Sequence, residues 1–179
     1  MLELAVFDLD GTLTNTLTDI ANAMNRALRL NNLPEFDVDA YRYLVGDGAK
    51  KLAERAVREH RELAVKVQQD YQAWYQTHTQ VTTRPYDGIK QLLGDLCGRG
   101  VKVCVFSNKP HADTVNVVRH FFPTIPFASV RGQKEGVPVK PDAAGALLTA
   151  EAAGVAAEHF VYLGDTSTDM RCAVNAGMH

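Results

Sequence analysis

Two aspartates two positions apart, Asp8 and Asp10, close a short apolar run, and a second run leads into Asp165 and Asp169. On extended backbone, residues two apart point to the same side, so Asp8 and Asp10 share a face. Neighbouring carboxylates repel and call for a cation or a shared proton. With Asp165 and Asp169 adding negative charge, a hard divalent cation is the natural counter-ion. An oxygen-only ligand set, without histidine or thiolate, favours Mg²⁺ over zinc. Such an ion keeps several waters and accepts phosphate oxygens, which suits phosphoryl transfer. Ser107, Lys140 and free backbone N–H groups can neutralise the phosphoryl oxygens.

The elements that must bring these residues together read as an α/β pattern. Residues 4–7, 101–106, 127–130 and 160–163 are short apolar runs, each bounded by turn or polar residues, as buried strands are. Helical periodicity links them over 89–98, 112–122, 142–153 and 168–176. This alternation predicts a doubly wound parallel sheet with helices on both faces, and in such sheets working groups gather at the carboxyl ends of strands. Asp8, Ser107 and Asp165 each follow such an end, and Lys140-Pro141 opens the Ala-rich helix. Residues 15–84 break the alternation, being helical throughout. Thr16 and Asp19 have capping-box spacing at the start, and Leu63, Val67, Tyr71 and Trp74 form a packing stripe. The expected organisation is therefore a discontinuous core, 1–14 and 85–179, carrying an inserted helical cap over 15–84.

Bulk composition excludes several other classes. The 179 residues carry a net charge of −2, with acids and bases mixed along the chain, so neither a nucleic-acid surface nor a polybasic membrane patch is expected. Three scattered cysteines make no disulfide framework and no zinc pattern. No apolar stretch approaches a membrane span, and a soluble, cytoplasmic protein is expected.

Asp8-Leu-Asp10-Gly11-Thr12-Leu13 resembles the first motif of the haloacid dehalogenase superfamily, and Ser107, Lys140 and Gly164-Asp165…Asp169 match its second, third and fourth motifs in order. The resemblance implies that Asp8 is a nucleophile passing through an aspartyl-phosphate, and that Asp10 protonates the leaving oxygen and then activates water. It implies that Ser107 binds a phosphoryl oxygen and that Lys140 holds Asp8 and the transferring group. Mg²⁺ would be bound by Asp8, the carbonyl of Asp10, and Asp165, with Asp169 direct or through water. An acid at position 10 favours phosphate esters, since family dehalogenases lack one there. Val45-Gly46-Asp47-Gly48-Ala49-Lys50-Lys51-Leu52 resembles the cap segment of phosphoglycolate phosphatases. Phosphoglycolate is thus the best single substrate among small phosphate esters, with Thr12, Asn108, Lys50 and Lys51 as candidate substrate contacts. Lys50 or Lys51 facing a substrate carboxylate competes with a plain solvated helix face.

Other readings stand beside these. Ser107 could cap the helix beginning near Pro110, and Lys109 reads as a solvated or helix-entry side chain. Arg131-Gly-Gln133 resembles a segment of some phosphoglycolate phosphatase-like proteins and is unassigned. The family core normally continues past Met178 with another strand and helix, so either a tail is omitted or the sheet lacks an edge element. Two functional alternatives remain: a phosphotransferase resembling β-phosphoglucomutase, and a catalytically silent regulatory protein on the same scaffold. The silent proteins tend to lose the nucleophile or the acid, and both are present here.

Overall fold

The computed structural model describes residues 2–156 and 159–179. Four strands, β1 (Leu4–Phe7), β4 (Lys102–Pro110), β5 (Ser129–Gln133) and β6 (Phe160–Leu163), form a parallel sheet in the order β5-β4-β1-β6. β1 lies in the middle, and each of its four residues is at most 2% exposed. A strand covered on both faces requires such an unbroken apolar run.

Alternation along β1 and β4 divides the core between the two faces. Leu4, Val6, Cys104 and Phe106 pack with Phe160 and Tyr162 against α6 (Ala144–Ala153) and α7 (Ser167–Asn175). Ala5, Phe7, Val103 and Val105 pack on the other side against α4 (Ile89–Gly98) and α5 (His111–Phe121). Removing each of the Val, Leu and Phe side chains from water contributes about 1.5–3 kcal/mol. Helices thus cover both faces of the sheet.

The segment between β1 and α4 forms its own apolar cluster. Met24, Leu28, Tyr41, Leu52, Val67 and Tyr75 bury against one another from α1 (Leu17–Leu30), α2 (Gly48–Ala56), α3 (Ala64–Tyr75) and a 3₁₀ turn at Val38–Tyr43. The chain leaves for this layer and returns from it side by side: β2 (Thr14–Asn15) pairs antiparallel with β3 (Arg84–Pro85). Beside that crossing the buried Asp19 carboxylate accepts five hydrogen bonds from the backbone N–H and hydroxyl groups of Thr82 and Thr83, at 2.6 to 3.0 Å. Burial alone would raise the Asp19 carboxyl, but these bonds outweigh it and hold the group below its usual value. The expected capping box at Thr16 is absent, because the Asp19 carboxylate is bound to Thr82 and Thr83 and Thr16 makes no side-chain cap.

Several element ends differ from the sequence reading. β4 does not stop at Phe106 but runs through Ser107, Asn108 and Lys109 to Pro110. β5 is correspondingly later than 127–130, because Arg131 and Gln133 pair with Phe106 and Pro110 across a register shift. The unassigned Arg131-Gly132-Gln133 is therefore the end of a strand. α6 begins at Ala144 rather than 142, after a turn in which Asp142 Oδ1 accepts from Ala144 N at 2.8 Å. On the outer side of β6, His179 N donates to Phe160 O (3.0 Å) and accepts in return from Tyr162 N through its carbonyl (2.8 Å). Among the described residues no helix is long and apolar enough to cross a membrane.

Candidate active site

The loop after β1 turns sharply because Leu9 O accepts from both Leu13 N and Thr14 N at 3.0 Å. Leu9 and Leu13 point into the core at 0% exposure, which leaves Asp8 and Asp10 facing a cleft at the sheet's carboxyl edge. Gly11 makes this turn at φ +86°, and a Cβ there would fall 2.3 Å from Asp165 Oδ2. A side chain is therefore excluded both by conformation and by the close carboxylate. Gly164 plays the second part: its Cβ would lie 2.4 Å from the Asp169 side chain. The two glycines let the β1 and β6 loops bring their acids together.

One oxygen from each of Asp8, Asp165 and Asp169 lies within 4.8 Å of the others. Lys140 Nζ sits between two of them, 2.9 Å from Asp8 Oδ1 and 2.6 Å from Asp169 Oδ1, with its side chain 2% exposed. It also donates to Tyr162 Oη at 3.1 Å. Burial alone would drive the Lys140 ammonium to lose its proton, but Asp8, Tyr162 and Asp169 together hold it charged. Asp8 is pushed up to about 6, first by burial and then by the charges of Asp169 and Asp10, which Lys140 only partly offsets. Burial likewise raises Asp165, although Thr12 Oγ1 donates to its Oδ1 at 3.0 Å.

Three carboxylates against one ammonium leave an excess of two negative charges in this cluster. That excess, in an all-oxygen donor set, fits one hard divalent cation. Asp8 Oδ1 points the same way: it is buried with the Lys140 contact but no well-aligned hydrogen bond. Asp169 has its other oxygen occupied, since Oδ2 accepts from Thr166 N (3.0 Å) and Thr166 Oγ1 (2.6 Å) in a capping box that opens α7. Its place at the helix start thus also fixes its carboxylate beside Lys140.

Ser107 and Asn108 line the same cleft from β4, the strand paired with β1. Ser107 does not cap α5, which begins after Pro110; its Oγ accepts from Lys109 N at 3.3 Å. Asn108 is a brace: its amide donates to Gly46 O (3.1 Å) and Lys140 O (3.2 Å) and its oxygen accepts from Lys140 N (2.8 Å). It therefore ties the third motif to the Val45–Gly48 bend. Thr168 Oγ1 donates to Asp47 Oδ1 at 2.9 Å and fixes that bend from the other side.

Some sequence candidates lie elsewhere. Thr12 is not among the residues lining the cleft and serves Asp165 instead. Lys50 and Lys51 are exposed and do not line it either. The reason is helical period: α2 turns Ala49, Leu52, Ala53 and Ala56 inward, so positions 50 and 51 fall on the outer face, where Lys51 pairs with Glu54 at 2.7 Å. Arg42, from the 3₁₀ turn, is the cation that lines the cleft from the helical layer, held by Asp39 at 3.4 Å.

Lys109 corrects the reading of a solvated side chain. Its side chain is 2% exposed, and Nζ contacts Asp10 Oδ1 (3.0 Å), Asp10 Oδ2 (3.2 Å) and Tyr75 Oη (2.5 Å). The spacing of two from Ser107, the same that singled out Asp8 and Asp10, was the available signal. The end of the apolar run at Phe106 hides it, because β4 itself continues to Pro110. Arg42 and Tyr75 offered none, because each depends on how the helical layer seats over the sheet. The cleft between the layers has a volume of about 430 Å³, and the helical layer lines it with the apolar Leu17, Ile20, Val45, Ala49 and Leu52 together with Thr16, Arg42 and Tyr71.

Comparison with known proteins gives consistent matches. The family model described as haloacid dehalogenase-like hydrolase matches residues 5–179. A phosphoglycolate phosphatase of Agrobacterium fabrum is 31% identical over 98% of this chain and 77% of its own length. One from Aquifex aeolicus is 31% identical over 98% of this chain and 82% of its own. Among solved structures, a protein of Lactobacillus delbrueckii subsp. bulgaricus, provisionally assigned as a phosphoglycolate phosphatase, superposes with TM-score 0.91 at 28% identity, over 99% of this chain and 84% of that one. CbbY of Rhodobacter sphaeroides, in complex with phosphate, superposes with TM-score 0.84 at 21% identity, over 99% and 84%, a likeness of fold.

Proposed function

Because the chain belongs to the haloacid dehalogenase-like hydrolase family, we propose that this phosphatase hydrolyses a small phosphomonoester, best phosphoglycolate, through a phosphorylated Asp8. The observation that carries the reading is the convergence of Asp8, Asp165 and Asp169, one oxygen of each within 4.8 Å of the others, with a buried ammonium between Asp8 and Asp169 at the carboxyl edge of the sheet. Mg²⁺ would be held by Asp8, Asp165 and Asp169 with the Asp10 carbonyl, and when bound it supplies positive charge to the phosphoryl oxygens. An Asp8 carboxylate oxygen attacks phosphorus as the ester P–O bond breaks, and Asp10 gives its proton to the departing oxygen. Asp10, now ionised, takes a proton from a water that attacks the phosphoaspartate. The acyl–phosphate linkage breaks at P–O, inorganic phosphate leaves, and Asp8 is regenerated. Ser107 and Lys140 meet the charge on the transferring group, and Lys140 keeps the Asp8 carboxylate oriented.

In this reading residues 15–84 act as the cap over a core of 1–14 and 85–179. The separate apolar cluster of the helical layer and the paired crossing at β2–β3 support that division. Leu17, Ile20, Val45, Ala49 and Leu52 on the helical layer leave few partners for the hydroxyls of a sugar and so favour a short substrate. Arg42, rather than Lys50 or Lys51, is then the cap cation for a substrate carboxylate.

The test is a panel of phosphate esters, with kcat/KM measured for each in Mg²⁺ and in chelator. Phosphoglycolate is expected to lead sugar phosphates by about tenfold or more, a difference of about 1.4 kcal/mol, with every rate lost in chelator. Preferred turnover of glucose 1-phosphates would favour the mutase reading, and a correctly folded, inert protein the silent one. Within the same panel Arg42→Ala is expected to raise KM for phosphoglycolate about tenfold and to leave that for 4-nitrophenyl phosphate unchanged. Parallel changes on both esters would remove Arg42 from carboxylate recognition.

A further inference from the structure

Lys109 carries a charge in a place where charge is costly, and the use made of it is specific. An ammonium buried to this degree must be paired and hydrogen-bonded. Nζ has three protons to donate, and three acceptors surround it: both oxygens of Asp10 and the Tyr75 hydroxyl. The acceptors come from two different layers. Asp10 follows β1, whereas Tyr75 ends α3 in the helical layer, is 1% exposed, and stacks on Tyr71 at 5.2 Å between ring centroids. Tyr71 itself lines the cleft. The Lys109 ammonium also lies 4.5 Å above the Tyr75 ring, so ring and hydroxyl both fix where Nζ can sit.

We propose that Lys109 is a positioning residue for Asp10, and that Tyr75 makes this positioning depend on the seated helical layer. Lys109 spans both carboxylate oxygens and so sets the plane of the group that exchanges protons with the leaving oxygen and with water. With the helical layer displaced, Tyr75 no longer directs Nζ, and the Asp10 carboxyl loses its orientation. The inference rests on the hydrolytic reading of the site and adds to it a link between closure and proton transfer.

A purely structural ion pair and a positioning role differ in one readout. Protonation of the leaving oxygen matters greatly when that oxygen is basic, as in phenyl phosphate, and little when it is 4-nitrophenolate. kcat/KM, which reports transfer to Asp8, is measured for both esters in wild type, Lys109→Met, Lys109→Arg, Tyr75→Phe and Asp10→Asn. Lys109→Met is expected to lose about tenfold more on phenyl phosphate than on 4-nitrophenyl phosphate, in the same sense as Asp10→Asn. Tyr75→Phe keeps the ring and should lose less with the same bias, and Lys109→Arg should recover part of the loss. The double variant Lys109→Met/Asp10→Asn should be no worse than Asp10→Asn alone, since the two act as a unit. Should Lys109→Met fail to fold, by circular dichroism, the bias in Tyr75→Phe and Lys109→Arg decides. Equal losses on the two esters overturn the inference alone. A wild-type protein inert on both overturns the hydrolytic reading, and the inference with it.

Discussion

Asp8→Asn is expected to abolish phosphatase turnover, by at least about 10³-fold in kcat, and at the same time to make the chelated protein more stable. The two effects have one origin. Asp8 is buried beside Asp169 and Asp10, and its carboxyl is raised from 3.8 to about 6. The folded protein thus holds this proton more tightly than the unfolded chain does. The stabilisation is complete below about pH 4 and is gone once pH has risen through about 6. At neutral pH without metal, an ionised Asp8 is a liability of about 3 kcal/mol, since each tenfold change in proton affinity is worth about 1.4 kcal/mol. Asparagine removes that liability. In chelator the variant should therefore unfold about 5–10 °C above wild type at pH 7.5, with the gap closing as pH falls towards 4. Added Mg²⁺ should raise wild type far more than the variant, because binding to the native state stabilises it. Thermal unfolding across pH, with and without Mg²⁺, provides the measurement. A variant no more stable than wild type in chelator would show that the acids are relieved some other way.

Replacing Lys140 with methionine is expected to act in the opposite direction. The ammonium contacts Asp8 at 2.9 Å and Asp169 at 2.6 Å, and neither aspartate is more than 6% exposed. Removing one partner of a buried pair leaves uncompensated charge, at a cost of about 3–5 kcal/mol. Here two acids lose the same partner. A fall in Tm of about 10 °C or more is expected at neutral pH. Acidification should restore part of it as Asp8 takes up a proton, and Mg²⁺ should restore part by replacing the lost positive charge. Lys140→Arg should recover little stability, because the site encloses the side chain almost completely and a planar guanidinium has a different shape. A Lys140→Met protein as stable as wild type, with no response to Mg²⁺, would remove the charge balance on which the proposed metal site is built.

How far this site could be read in advance depended on the range of the interactions that build it. Asp8 and Asp10 were legible because extended backbone sets side-chain direction locally, and Asp165 because its strand ends just before it. The helical layer showed itself as a long change of period. Lys109 escapes the sequence reading because β4 outlasts its apolar run: Ser107, Asn108 and Lys109 fall in the register shift between the Phe106–Arg131 and Pro110–Gln133 pairs, contacts between residues more than twenty positions apart in the chain. The place of Lys50 and Lys51 after a Gly-Asp-Gly bend points them to the cleft in sequence terms, but the buried face of α2 turns them outward. Asp19 had the spacing of a helix cap and instead binds Thr82 and Thr83, sixty-three and sixty-four positions away.

The residue order by itself determined the parallel α/β core, the helical interruption, and the acids that meet at one sheet edge, because periodicity and strand termination act over a few residues. The motif resemblance already implies that Lys140 holds Asp8; only the tertiary structure decided the other pairings of cation and carboxylate. Lys140 is shared between Asp8 and Asp169, Lys109 spans Asp10 and Tyr75, and Arg42 lines the cleft. Those pairings arise where two layers close on each other, and a buried charge settles on whichever opposite charge the packing leaves within reach.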